Sequence, residues 1–245
     1  MTDNHTHILP GMDDGSKSPE MSLKMLQMEL DQGVDTVVLT SHCYRDREKP
    51  KDYLARRSTS FEILQEAIEK NQVAVPRLLL GAEVAWAPHL SEWDELEQLC
   101  CQGTRNLLLE MPFRPWSHSM IDQIYDMMEK RDVTPVFAHL ERYIKDQRAD
   151  HIREIISMGT PIQISAAPLL KFMSRHLLVK MVKNHTAHLL ASDCHNLTTR
   201  PPNLKPGLDV VRRLTGEHEV RRLTMNADSL VEKWKKHRNP ACEHK

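Results

Sequence analysis

Glycine is scarce in this chain. There are 8 in 245 residues, and none falls in the Gly-rich run that wraps a nucleotide phosphate after the first strand of a dinucleotide-binding fold. Neither sign of charge is in excess. The 33 basic and 34 acidic residues leave a net charge of −1, so no electrostatic footprint for nucleic acid or an anionic membrane is present. No apolar run approaches a membrane span, and Asp3 and His5 stand where a signal peptide needs basic and apolar residues. The cysteines number five, an odd count without small-scaffold spacing, which fits reduced thiols better than a disulfide framework. These absences lead to the expectation of a cytoplasmic protein with no membrane insertion and no nucleic-acid partner. No Gly/Ser linker, low-complexity stretch or composition break interrupts the sequence, so residues 1–245 read as one domain. Oligomeric state is left open.

What is present is an alternation of short aliphatic runs with longer amphipathic stretches. The runs predict strands over Asn4–Leu9, Thr36–Thr40, Arg77–Glu83, Asn106–Glu110, Val133–Ala138, Pro161–Ser165 and Ala187–Ser192. Helical spacing of apolar residues predicts helices over Pro19–Gln32, Tyr53–Asn71, Ser91–Cys101, Ser119–Arg131, Ala149–Met158, Pro168–Asn184 and Leu204–Thr215. Methionines in the first of these helices read as core filler. The basic tail from Trp234 onward is assigned no function. From Asn106 on, strand starts recur at the length of one βα unit, which argues for an α/β protein with parallel strands. Without a Gly-rich loop, a closed or nearly closed barrel is preferred over an open doubly wound sheet.

The ends of those strands carry the chemistry. In an extended segment Asp3, His5 and His7 project to one side, and Asp13-Asp14-Gly15 follows in the next loop. The second strand ends at Thr40-Ser41-His42, the third at Gly81-Ala82-Glu83 and the fourth at Leu109-Glu110. The fifth ends at Ala138-His139 and the seventh at Ser192-Asp193-Cys194-His195. Each residue alone could cap a helix or satisfy the core. Together, ionisable groups gathered on one rim would repel or shift their pKa values unless cations neutralised them. The C-terminal rim is also where barrel active sites are built. Five imidazoles and four carboxylates, with no compelling thiolate, favour Mn²⁺, Fe²⁺ or Zn²⁺, and exceed what one ion needs. A cluster of two or three ions suits displacement at phosphorus. Arg142 and Arg200, in the loops after His139 and His195, can fork onto phosphate. His89, His118, His151, His176, His185, His188, His218, His237 and His244 read as surface or helix-face residues, with His89 and His118 in loops near the mouth.

The order of these motifs resembles the polymerase and histidinol phosphatase (PHP) superfamily. It is most similar to the bacterial PHP-type protein-tyrosine phosphatases of capsule and exopolysaccharide regulation. The resemblance runs through Asp3-Asn4-His5-Thr6-His7-Ile8-Leu9-Pro10-Gly11, Asp13-Asp14-Gly15, Thr40-Ser41-His42 and Gly81-Ala82-Glu83-Val84. It continues through Leu109-Glu110-Met111-Pro112, Ala138-His139-Leu140-Glu141-Arg142-Tyr143, Ala191-Ser192-Asp193-Cys194-His195-Asn196 and Arg200-Pro201-Pro202. It implies a distorted (β/α)7 TIM-like barrel, the PHP fold, with a trinuclear and usually Mn²⁺-supported centre. His5, His7, Glu83 and Asp193 would hold one ion, Glu83, Glu110 and His139 a second, and Asp14, His42 and His195 a third. Arg142 and Arg200 would bind and stabilise the phosphoryl group while a metal-held hydroxide attacks it in line, with no phosphoenzyme. Asp3, Asp13 and Asn196 would orient the ligands. The implied substrate is a phosphotyrosyl protein, a bacterial tyrosine kinase controlling capsule or exopolysaccharide synthesis. Thr40-Ser41-His42 replaces a common Thr-Pro-His, and Ala138-His139-Leu140-Glu141-Arg142 a common Ala-His-Pro-Glu-Arg; no ligand is lost.

Two other activities compete. A small-molecule phosphatase of histidinol-phosphate type, or another PHP phosphoesterase, would use the same centre, since a scaffold does not fix its substrate. Cys194 and Arg200 also have the Cys-x5-Arg spacing of cysteine-dependent phosphatases. That loop lacks glycine, runs into Pro201-Pro202, and by strand alternation turns Cys194 away from Asp193 and His195.

Overall fold

Residues 1–232 are described by the structure, a computed structural model. In chain order the elements are β1 (Thr2–Thr6), α1 (Pro19–Asp31), β2 (Thr36–Leu39), β3 (His42–Cys43), α2 (Pro50–Asn71), β4 (Arg77–Leu80), β5 (Glu83–Ala85), a 3-10 turn (Leu90–Glu92), α3 (Leu96–Leu99) and β6 (Asn106–Glu110). There follow α4 (His118–Arg131), β7 (Thr134–Phe137), a second 3-10 turn (Leu140–Arg142), α5 (Ala149–Ser157), β8 (Gln163–Ser165), α6 (Ala166–Leu170), α7 (Phe172–Lys183), β9 (Leu189–Ala191), α8 (Leu204–Thr215) and α9 (Glu217–Ser229). Ser18 caps α1 by accepting from the Met21 amide, with Pro19 in the first turn, and Ser117 caps α4 in the same way.

All strand pairings are parallel. They form three ladders, β1-β2-β4, β3-β5-β6-β7 and β8-β9. Single bridges join these ladders, Phe137 to Ile162 between β7 and β8 and Thr6 to Cys194 between β1 and the end of the β9 segment. The strands therefore follow one another round a distorted barrel whose hydrogen-bond ladder is not continuously closed. Helices cover the outside, so the strands are buried on both faces and read as aliphatic runs.

The third predicted strand breaks in two, the second is followed by a separate short strand beyond its predicted end, and the two bends sit side by side. The chain bends at Thr40-Ser41 between β2 and β3, and at Gly81-Ala82 between β4 and β5. Helix α2 holds both bends from one face, with Tyr53 and Arg57 one turn apart. The Tyr53 hydroxyl donates to the Ser41 carbonyl at 2.7 Å, and Arg57 Nη1 donates to the Gly81 carbonyl at 2.7 Å. A side chain at Gly81 would press on Val38 at 3.1 Å. The bends shift His42 and Glu83 onto a new register, where the two residues pair.

Three helix predictions change. Ser91–Cys101 is a 3-10 turn and the one-turn α3, because Trp93 turns extended and buries its ring. Pro168–Asn184 divides at extended Lys171. There Ser174 Oγ donates to the Pro168 carbonyl, which also accepts from the Lys171 amide, and Arg175 Nε donates to the Leu169 carbonyl, both side-chain bonds at 2.7 Å. Helix α9 has no counterpart in the sequence reading. It buries Val220, Leu223 and Ala227 and ties together the strand beginnings. Asn4 Nδ2 donates to the Ala227 carbonyl at 3.1 Å, Asn226 Nδ2 to that of His188 at 2.9 Å, and Asn106 Nδ2 to that of Leu230 at 2.7 Å. One end of the barrel is thus closed, and the other is left for chemistry. The tail from Trp234 lies outside the described residues.

Candidate metal centre

At the C-terminal ends of the strands the predicted donors converge. His5 and His7 leave β1 with their Nε2 atoms 3.1 Å apart. Glu83 Oε2 lies 3.3 Å from each of these nitrogens and 2.8 Å from His42 Nδ1. Its other oxygen meets His139 Nε2 at 2.9 Å, and Glu110 Oε1 is 3.6 Å from the same nitrogen. Asp193 Oδ1 stands 3.5 Å from His5 Nε2, His7 Nε2 and His195 Nδ1. Asp14 Oδ1 approaches His195 Nε2 at 3.4 Å and His42 Nε2 at 3.5 Å. All nine candidate ligands are brought together. Donor atoms lie within 4.8 Å of one another in three sets: His7, Asp14, His42 and His195; His5, His7 and Asp193; and His42, Glu83 and Glu110.

Local chain geometry builds this cluster. Gly15 packs so tightly on His7 that a Cβ there would lie 2.2 Å from the His7 carbonyl oxygen. Only glycine lets the acidic loop fold back over β1. In that fold Asp13 Oδ2 lies 2.7 Å from His7 Nδ1 and accepts from the His42 amide at 2.9 Å. His139 and Asp193 both adopt left-handed backbone, φ 33° and 52°, a conformation that non-glycine residues hold at some cost and that recurs at functional sites. Asp3 accepts from the Ser192 and His5 amides, fixing the backbone of two ligand segments and not an imidazole. The Asn196 amide oxygen gathers the Thr198, Thr199 and Arg200 amides and so shapes the Arg200 loop.

Sequence reasoning missed Gln163. Its Oε1 lies 3.2 Å from His5 Nδ1 and accepts from the His139 amide at 2.8 Å, so β8 supplies an orienting amide where no ligand was expected. The signal was a polar residue facing inward between Ile162 and Ile164.

The electrostatics of the cluster are those of a candidate cation site. Burial works against charge on His7, but Asp13 and Glu83 push its pKa up to about 10. His195, whose ring lies 3.8 Å away, is pushed down to about 3 by burial, His7 and Arg200. Burial and then the neighbouring Glu83 raise Glu110 to about 7, while Glu83, although fully buried, is held well below the carboxylate range by His5, His139 and His42. Among the described residues, buried Glu83 Oε2, His42 Nδ1 and His195 Nε2 form no hydrogen bonds, although nitrogen and oxygen atoms surround them. Unpaired donors of this type fit divalent ions.

Arg142 and Arg200 both reach Asp193, Arg142 through Oδ2 and Arg200 through Oδ1 at 2.8 Å, and both remain partly exposed at 34% and 37%. Cys194 is fully buried and faces Glu29, with Sγ 3.7 Å from Oε1. Burial, Glu29 and Asp3 raise its thiol well above the usual value, so it is no thiolate nucleophile. A trough of about 380 Å³ opens beside Glu110, walled by Tyr44, Trp86, Pro112 and Phe113, with Arg45 and Arg114 at its edge. The ring of Tyr44 stacks on that of His42 at 5.0 Å.

Residues 1–232 match the model of the CpsB/CapC capsular polysaccharide synthesis family. The chain belongs to the CpsB/CapC family. Among CpsB/CapC relatives, the tyrosine-protein phosphatase CpsB of Streptococcus agalactiae is 30% identical, over 94% of this chain and 98% of its own length. YwqE of Bacillus subtilis, also a tyrosine-protein phosphatase, is 26% identical, over 94% and 91%. A chain from the structures of B. subtilis YwqE and Streptococcus pneumoniae CpsB, described as unique metal-dependent tyrosine phosphatases, matches with TM-score 0.83 at 26% identity over 96% of each chain. An inactive dihydroorotase-like domain of Chaetomium thermophilum, 8% identical with TM-score 0.57, shares the fold alone. The α/β barrel expectation holds, and so does the resemblance to PHP-type phosphatases. Among the described residues no helix is long and apolar enough to cross a membrane.

Proposed function

We propose that this chain is a metal-dependent protein-tyrosine phosphatase. The observation that carries the reading is the nine-residue donor cluster lying between two mouth arginines and an aromatic-walled trough. His5, His7, Glu83 and Asp193 would hold one ion, Glu83, Glu110 and His139 a second, and Asp14, His42 and His195 a third, with Mn²⁺ preferred and Fe²⁺ or Zn²⁺ as alternatives. Such ions supply charge neutralisation and an activated water.

The protein's own residues position and discriminate. Arg142 and Arg200 fork onto the phosphoryl oxygens and stabilise them as charge redistributes in the transition state. Tyr44, Trp86 and Phe113 receive the phenyl ring, because flat apolar walls suit an aromatic leaving group. A phenol, with a pKa of about 10, leaves with little proton assistance, so no strong general acid is demanded. The substrate is a phosphotyrosyl protein of capsule or exopolysaccharide synthesis, a bacterial tyrosine kinase acting in the cytoplasm.

The test pairs metal analysis with turnover. Purified protein is assayed on a phosphotyrosyl peptide and on histidinol phosphate, before and after chelation and after Mn²⁺ is restored. Peptide turnover is expected to vanish on chelation and return with Mn²⁺, and Arg142→Ala is expected to lower kcat/KM at least about 100-fold. Full turnover by metal-stripped protein, or hydrolysis of histidinol phosphate alone, overturns the reading.

A further inference from the structure

A second group of metal-type side chains lies outside the rim. His118 opens α4, and Asp150 and His151 lie in the first turn of α5. Their donor atoms fall within 4.8 Å of one another. The sequence reads His151 as a surface or helix-face residue; it lies on α5 and is only 2% exposed. Among the described residues neither of its ring nitrogens finds a hydrogen-bond partner. Its ring meets that of His118 edge-on, with centroids 4.7 Å apart. A buried imidazole with both nitrogens unpaired costs free energy, and a cation on its lone pair offsets that cost.

We propose that His118, Asp150 and His151 form a transition-metal site at the seam of α4 and α5, separate from the rim centre. Glu154, one turn further along α5, lies 3.8 Å from His118 Nδ1 and is in reach as a fourth donor. Two imidazoles with carboxylates select Zn²⁺ over Mg²⁺ or Ca²⁺. Asp150 also receives Arg148, at 3.0 Å from Nε and 2.6 Å from Nη2, so an ion at this site exchanges a guanidinium for itself.

The position gives the ion a role in joining loops. The segment between β6 and α4 is already stitched to the segment before α5 by Gln147. That side chain accepts from the Trp116 amide at 2.8 Å and donates to the Arg114 carbonyl at 3.0 Å. Phe113 and Trp116 pack on Tyr143 at 5.1 and 5.3 Å, and Tyr143 packs on His139 at 5.7 Å. An ion between His118 and His151 therefore fastens the trough wall to the loop that carries Arg142.

The test titrates Mn²⁺-loaded protein with Zn²⁺ by calorimetry and locates zinc by anomalous diffraction, for the wild type, His118→Asn and Arg148→Ala. Exposed His118 tolerates the change, so folding is not at stake. Wild type is expected to show a zinc peak between α4 and α5 that His118→Asn lacks, with affinity there falling at least about tenfold. Arg148→Ala is expected to tighten that binding by freeing Asp150. Zinc confined to the rim in all three proteins, with equal stoichiometry, overturns the proposal.

Discussion

Two buried carboxylates in this protein are set against imidazoles, and they resolve their charge in opposite ways. On the outer side of β9, Glu219 accepts from Arg222 Nε at 2.8 Å, and His185 Nε2 lies 3.0 Å from its other oxygen. Arg222 Nη1 and Nη2 also donate to the Ala187 and Val182 carbonyls at 2.9 and 3.2 Å. There the protein completes its own hydrogen bonding. At the rim, Glu83 Oε2 is crowded by three imidazole nitrogens and hydrogen-bonds to none. The difference separates a polar network completed by protein groups from one that protein groups leave incomplete.

Substitutions sharpen that contrast. The largest effect is expected from Glu83→Gln, which keeps shape and removes the shared charge. kcat/KM on a phosphotyrosyl peptide should fall at least about a thousandfold, about 4 kcal/mol, and plasma emission should count fewer ions per chain. Unchanged metal content would contradict the central place given to this carboxylate. Asp13→Asn comes next. It leaves His7 Nδ1 without its anionic partner, so metal affinity should drop about 10–100-fold, measured by competition with a chelator.

Glu219→Gln should behave in the reverse sense, with metal content and turnover intact and stability lowered by about 1–3 kcal/mol at neutral pH. Burial opposes charge on Glu219, but Arg222 and His185 hold its pKa below the ordinary value. A depressed carboxyl contributes stability above its unfolded pKa, and that contribution fades as pH falls through the folded value. Denaturant melts of the two proteins should therefore converge in acid, and a gap that widens there would refute the assignment. The smallest change is expected from Tyr53→Phe, which leaves the Ser41 carbonyl, at the bend before His42, with the Glu83 amide at 3.2 Å in place of two donors. About 1 kcal/mol of stability should be lost, with turnover reduced less than tenfold and the ions retained.

Much of the centre was legible before any coordinates. His42, Glu83, Glu110 and His139 stand at the ends of aliphatic runs, where a buried ionisable group is too costly to be incidental. Gln163 escaped notice because an amide is neither charged nor a usual metal donor, and only its position between His5 and the His139 backbone gives it a purpose. Helix α9 was readable in Val220, Leu223 and Ala227, whose spacing is helical, but the series of βα units had already ended at Thr215. The sequence does not show what holds the strand bends at Ser41 and Gly81, since Tyr53 and Arg57 belong to a helix elsewhere in the chain. The sequence leaves His151 as a surface or helix-face residue, because burial is a property of what packs on it.

The sequence by itself determined the donor types, their order along the chain and the parallel α/β character, because hydrophobic patterning and side-chain chemistry are local properties. Tertiary structure alone decided which donors share an ion-sized space, that Arg142 and Arg200 meet the same carboxylate, and that His118 and His151 face each other. Those facts depend on strand register and on close packing between distant segments, where a shift of one residue turns a side chain to the other face.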